Sequence, residues 1–222
     1  MSIKKAVVAS SAEVYQKPKI IPTPEDVELI VPSHKNPRYS YGLSKIFTEF
    51  YSLQYGLHRN LSVSVFRPHN VYGEDMGYKH VIPEFILPFV KSKLENKKNV
   101  SIKTKGAIDS SRAFCYVSDI IDGIEAISQL SSTGVYNIGN PEPFSIRDVL
   151  STLSEISGLD FKIDESQNKH VGSVTERIPD ISKITELGFY PKINFLKGLT
   201  KTYNWYLENY HLFNKEKNNK YL

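Results

Sequence analysis

The sequence predicts an α/β fold with mostly parallel strands, and two observations carry that expectation. Short apolar runs without strict alternation recur along the chain, the pattern of strands buried on both faces of a parallel sheet. Between them lie longer segments with apolar residues three and four apart, so that strands and helices alternate.

"KKAVVASS", residues 4–11, is the first such run, with two β-branched valines. A proline-spotted loop follows, with prolines at 18, 22, 24, 32 and 37. "NPRYSYGLSKIFTEF", residues 36–50, then opens a helix. On it Ile46, Phe50, Leu53 and Leu57 form one apolar stripe, and Phe47, Tyr51 and Tyr55 a second. Tyr41, Lys45, Thr48 and Ser52 form a separate polar line. A helix with two apolar faces packs on a sheet with one and meets a partner with the other, which predicts a homodimer.

"LSVSVFR" reads as the next strand, Ile82 to Leu94 as a helix, "VSIKT" as a strand and Ser118 to Leu130 as a helix. "GVYNIG" is a further strand, followed by a helix from Ser145 to Ser157. Pro179 and Asp180 open the short helix "ISKITEL", which Gly188 stops. Leu196, Leu199, Tyr203, Tyr206 and Tyr210 stripe a last helix before a polar tail over 211–222.

Composition narrows the function classes. The net charge of +4 is modest, and its lysines show no aromatic-interleaved basic block, which argues against a nucleic-acid partner. The single cysteine, Cys115, excludes a disulfide framework and a thiolate metal site and suits a reducing cytosol. "MSIKK" leads into only a short apolar run, so no signal peptide is expected. "VIPEFILPFV" is too short to span a bilayer and is interrupted by Pro83, Glu84 and Pro88. The reading is a cytoplasmic protein with no membrane partner.

Tyr41 and Lys45, four residues apart, stack on one helix face. A phenol beside an ammonium is a way to build a base from a side chain that titrates near 10 in water. "SSAEVY" sets Ser11 and Glu13 at the carboxyl end of the first strand, where open α/β sheets place ligands. "RPHNVYG" sets His69 and Asn70 at the equivalent end of the second. "SSRAFCYVSD" adds Arg112 and "TERIPDISK" adds Arg177.

In series, "SSAEVY", "YSYGLSK", "RPHNVYGEDMGYKHVIPEF" and "SSRAFCYVSD" resemble the extended short-chain dehydrogenase/reductase family, and within it the nucleotide-sugar epimerases, decarboxylases and dehydratases. The resemblance runs from about Ala6 to Tyr206. It implies the C-terminal part of a Rossmann-like parallel sheet with a smaller mixed α/β substrate-binding domain. The division so implied is residues 1–73, with 113–140 returning to them, for the cofactor region, and 74–112 with 141–210 for the substrate region.

The same resemblance implies NAD as cofactor and a nucleotide-diphosphate sugar as substrate. Tyr41 takes the proton of a sugar hydroxyl, Lys45 favours its phenolate, Ser11 hydrogen-bonds the oxygen being oxidised, and Glu13 stands beside them. The cofactor lies against Ser10, Tyr41, Lys45, Pro68 and His69, and the nucleotide sugar against Asn70, His80, Arg112 and Arg177. Arginine suits the diphosphate because its planar fork matches phosphate oxygens. No histidine pattern suggests a metal.

One part of the resemblance is missing. Relatives open with a glycine-rich turn at the pyrophosphate, and the twelve glycines here form no G-x-G pair. Three readings follow: a fragment or late start site, a second polypeptide supplying the N-terminal NAD-binding half, or a non-catalytic remnant that still binds a nucleotide sugar. A lone first strand would show an unpaired apolar edge, an aggregation liability, which favours the first two. As to the reaction, Ala12 stands where dehydratases carry an acid, so water loss is not expected. The ranking is a 4-epimerase working through a keto sugar, then a decarboxylase of nucleotide-linked uronic acids, which keep a glutamate and an arginine at the positions of Glu13 and Arg177.

Overall fold

β-Branched and aromatic side chains fit a pleated, buried surface, and "SVSVFRP" takes the centre of the main sheet. The structure is a computed structural model that describes residues 3–104, 108–164 and 177–213. The expected polar tail lies, beyond 213, outside the described residues.

In chain order the elements are β1 (Lys5–Ala9), a 3₁₀ turn (Ala12–Tyr15), α1 (Ser40–Arg59), β2 (Ser62–Pro68), β3 (Val71–Tyr72) and α2 (Val81–Leu94). Next come β4 (Asn99–Lys103), β5 (Ser111–Ala113), β6 (Cys115–Tyr116), α3 (Val117–Ser128), β7 (Gly134–Ile138) and β8 (Pro143–Ser145). The chain continues through α4 (Ile146–Ser157), β9 (Asp160–Asp164), α5 (Ser182–Thr185) and α6 (Phe195–Glu208).

They divide into two units. One comprises, among the described residues, 3–71, 112–143 and 177–192, and the other 72–104, 108–111, 144–164 and 193–213. Residues 177–192, expected in the second region, belong to the first. The cause is local: Thr23 N donates to Ile178 O at 2.9 Å, and Asp180 N donates to Thr23 O at 3.0 Å. Ile181, Ile184 and Phe189 then complete a core with Cys115, Ile120, Ile127, Tyr136 and Ile138.

The first unit is built on a parallel sheet in the order β1-β2-β7. Val63, Ser64, Val65 and Arg67 of β2 are buried, as a central strand requires. β1 pairs with β2 alone among the described residues, and Val7 at that edge is 37% exposed.

The buried face of α1 differs from the expected stripes. Phe50 and Leu57 are exposed, whereas Gly42, Glu49 and Gly56 are buried. Seven residues apart, these three lie along one line, and the small residues let the helix approach its neighbours closely. A Cβ on Gly56 would stand 2.5 Å from Val63 Cγ2 and 2.7 Å from Leu61 O. The helix ends at Asn60, whose φ of 52° closes a left-handed cap.

In the second unit β4 pairs parallel with β9, Val100 opposite Phe161 and Ile102 opposite Ile163. Helices α2, α4 and α6 pack on one another around Ile86, Phe89, Leu150, Leu153, Leu199 and Tyr206. A Ser145–Asp148 capping box starts α4, and Gly158 at φ 68° ends it. No helix among the described residues is long and apolar enough to cross a membrane.

The packing of α1 makes neighbouring positions respond oppositely. Gly56→Ala should cost about 1–3 kcal/mol through overpacking, although alanine is the better helix former. Leu57→Ala should stay within about 0.5 kcal/mol. Urea unfolding of the two variants measures both, and a larger loss for Leu57→Ala would contradict this placement of α1.

Candidate active site

At the carboxyl end of β1, Ser10 N continues the ladder by donating to Phe66 O at 2.8 Å. Ser11 is extended and caps the following turn, its Oγ accepting from Glu13 N at 3.2 Å. The first turn of α1 presses against this segment, because a Cβ on Gly42 would stand 2.8 Å from Glu13 O. Lys45, half-buried, donates from Nζ to Ala9 O at 3.1 Å and lies 5.8 Å from the centre of the Tyr41 ring. Tyr41 is 52% exposed. Ser11, Glu13, Tyr41 and Lys45 are thus gathered where β1 ends.

Glu13 receives a two-pronged ion pair from Arg177, whose Nη1 bonds Oε1 and whose Nη2 lies 3.2 Å from Oε2. Arg177 Nη2 also donates to Gln16 O at 3.3 Å. Burial opposes the charge on Glu13, yet Arg177, with Arg38 and Arg112 beyond it, holds its carboxyl below the ordinary 4.5. Arg112 is half-buried, and its own pKa is lowered by burial and then by Arg177. Three guanidinium groups therefore act on one carboxylate, Arg177 by direct contact and Arg38 and Arg112 through their charge, an excess of positive charge at the strand end.

Beneath these residues runs a buried polar network. Glu49, four residues after Lys45, accepts from Ser10 Oγ and forms a two-pronged pair with Arg67 at 2.8 and 2.6 Å. Burial works against the charge on Arg67, but Glu49 and Tyr15 raise its pKa. Arg67 Nη1 donates to Tyr15 Oη at 2.7 Å, and Tyr15 donates in turn to Asn137 Oδ1 at 2.6 Å. Burial pushes the Tyr15 phenol up to about 12, so it stays a donor.

Asn137 Nδ2 spends both hydrogens, on Thr23 O and Asp180 O, each at 3.0 Å, which fixes the amide orientation. His69 Nε2, 3.1 Å from Asn137 Oδ1, must then carry the ring proton. Its Nδ1 is buried with no hydrogen-bond partner among the described residues, as is Arg177 Nε.

Of the remaining expected residues, Pro68 ends β2 opposite Ile138. Asn70 sits at φ 36° and donates from Nδ2 to Ala113 O at 3.0 Å. His80 belongs to the second unit, where it is exposed and precedes α2 without a side-chain cap bond. Cys115 is buried and its thiol is pushed up to about 12, so it is not a nucleophile. No cluster of metal-ligating side chains occurs among the described residues. Sequence reasoning missed Glu49, Arg67, Tyr15 and Asn137. For Glu49 a signal existed, as it extends the line of Tyr41 and Lys45 by one turn.

Comparison with known proteins adds to this geometry. A model of the NAD dependent epimerase/dehydratase family matches residues 1–139. UDP-glucuronic acid decarboxylase 3 of Arabidopsis thaliana is 30% identical over 199 residues, 87% of this chain and 55% of that protein. The solved UDP-glucose 4-epimerase of Thermotoga maritima, bound to UDP-glucose, superposes with a TM-score of 0.77 at 24% identity, covering 94% of this chain and 65% of that one. A UDP-glucuronic acid 4-epimerase variant of Bacillus cereus, in complex with NAD and a fluorinated UDP-glucuronic acid, is 25% identical with a TM-score of 0.75, covering 93% and 62%. The chain spans a little over half the length of the decarboxylases it matches.

The buried His69 gives stability a defined pH dependence. Burial lowers its pKa from 6.5 to about 4, so the folded state refuses a proton that the unfolded chain accepts. Its contribution is complete above about pH 6.5 and is lost as pH falls towards 4, by about 3 kcal/mol in all. His69→Gln should flatten the fall of the urea midpoint within that window, and an unchanged slope would contradict the neutral, buried ring.

Proposed function

The chain belongs to the NAD dependent epimerase/dehydratase family, and from that premise we propose that it is a nucleotide-sugar 4-epimerase. The observation that carries the reading is that Lys45, 5.8 Å from the Tyr41 ring, donates to Ala9 O at the end of β1, two residues before Ser11. Tyr41, as phenolate, takes the proton of the sugar 4-hydroxyl while Ser11 donates a hydrogen bond to the same oxygen. Lys45 supplies the neighbouring positive charge that favours the phenolate. NAD, when bound, would supply the reversible hydride acceptor for C4. The keto sugar then turns its other face, and Tyr41 returns the proton to the re-formed hydroxyl. Inversion needs no further acid, which suits a Glu13 committed to Arg177.

The residues present fit the reactive end of the cofactor: an exposed phenol and a lysine share one helix face at a strand's carboxyl end. A glycine turn for the pyrophosphate is not among the twelve glycines. We propose that this contact comes from residues outside the 222, in the same polypeptide or a second one. Pairing of two copies through α1 is also proposed. Phe47, Tyr51 and Tyr55 stack in a ladder, with ring centres 5.9 and 6.4 Å apart, and all three are exposed. Sedimentation should show a dimer that Tyr51→Glu converts to a monomer; a monomeric parent chain would remove the proposal.

A second reading, decarboxylation of a nucleotide-linked uronic acid, is supported by the excess of arginine around Glu13, which would receive a sugar carboxylate, and by the 30% identity to a decarboxylase. Incubation of a cofactor-complete protein with UDP-glucose, and separately with UDP-glucuronic acid, separates the two. The proposal expects a C4-inverted product from the first that survives Glu13→Ala. It also expects Tyr41→Phe to lower turnover by about 10²-fold or more. Carbon dioxide released from the second substrate, and abolished by Glu13→Ala, would replace it with decarboxylation.

A further inference from the structure

Three side chains one turn apart descend the inner face of α1 from solvent to core. Tyr41 is exposed, Lys45 half-buried and Glu49 4% exposed. Each of the lower two grips the end of β1 at successive residues, Lys45 at Ala9 O and Glu49 at Ser10 Oγ. Lys45 holds with an exposed bond that water can replace. The hold of Glu49 is buried, and Arg67 of β2 clamps the same carboxylate through two bonds. Arg67 is fixed in turn by Tyr15 Oη and Glu25 O, at 2.7 and 2.8 Å. The carboxylate is therefore tied to α1, to the residue before Ser11 and to the central strand at once.

We propose that Glu49 is a positioning residue that sets the rotation and register of α1, and thereby holds Tyr41 and Lys45 against Ser11. The proposal rests on the reading of Tyr41 and Lys45 given above. An ordinary apolar contact would hold α1 to the sheet but leave it free to slide or roll by a fraction of a turn, because hydrophobic contact has no direction. A bidentate carboxylate–guanidinium pair does have direction, since its two parallel bonds admit one mutual orientation. A displacement of about 1 Å between reacting groups is enough to cost about 10²-fold in rate. The buried charge therefore serves geometry, where an apolar substitute would serve stability alone.

The test uses the full chain and two variants, Glu49→Gln and the volume-matched pair Glu49→Leu with Arg67→Met. Amide hydrogen exchange at residues 41–45 is read against exchange at residues 63–65 of β2, together with the urea midpoint. Turnover with NAD and UDP-glucose is measured alongside. Glu49→Gln should speed exchange at 41–45 by about tenfold more than at 63–65. The double variant removes both buried charges and should recover the urea midpoint, yet keep fast exchange at 41–45. In an active protein its kcat should stay down by about tenfold or more with KM within about threefold. If the double variant instead recovers both the midpoint and the slow exchange at 41–45, the pair is only a structural clamp and the proposal is wrong. Tyr41→Phe with undiminished turnover would reject the catalytic reading on its own, leaving the exchange result to judge Glu49.

Discussion

The first unit is organised around a carboxylate and a guanidinium that have both left water. Glu49 and Arg67 are 4% and 3% exposed, and removing either partner from such a pair typically costs about 3–5 kcal/mol, because the other is left charged and buried. Neither could be there alone. The pair is tolerable because the polar atoms of both side chains find partners: each other, Ser10 on one side, and Tyr15 with the carbonyl of Glu25 on the other. α1, the sheet, the turn after β1 and the loop at Thr23 and Glu25 are joined by that need for satisfaction.

What the sequence revealed and what it concealed follow one physical line. "SVSVF" was legible as a strand because burial on both faces leaves a local, continuous apolar signal, and "AVVA" carries the same signal although no residue of β1 is fully buried. Tyr41 and Lys45 were legible because the relation between them spans a single helical turn. The buried face of α1 was not. Burying Gly42 and Gly56 depends on how near Glu13 and Val63 approach, which no periodicity of the helix itself records. The exposed Phe50 and Leu57 carried the stronger apolar signal and pointed to the wrong face.

β9 was missed for a related reason. "DFKID" offers only two apolar residues, Phe161 and Ile163, and becomes a strand through its pairing with Val100 and Ile102 of β4. The return of residues 177–192 to the first unit was equally hidden, since Thr23 and Asp180 say nothing about each other from their neighbours in sequence. Family likeness assigned Glu13 to the catalytic set and Arg177 to the nucleotide-sugar contacts. It did not reveal that each is the other's partner, which changes Glu13 from an available acid to a fixed anion in an arginine-rich corner.

That partnership also has a temporal side. Glu13 and Arg177 are separated by 164 residues, so one is made long before the other exists. At a synthesis rate of about 5–20 residues per second, the interval is roughly 10–30 s. Through that time Glu13 has no guanidinium from the chain's far end, while the strand, turn and helix around it can already pair. The arginine arrives as the closing stitch on a corner whose other residues are older, so a ribosome that stalls before residue 177 leaves Glu13 without its bidentate partner.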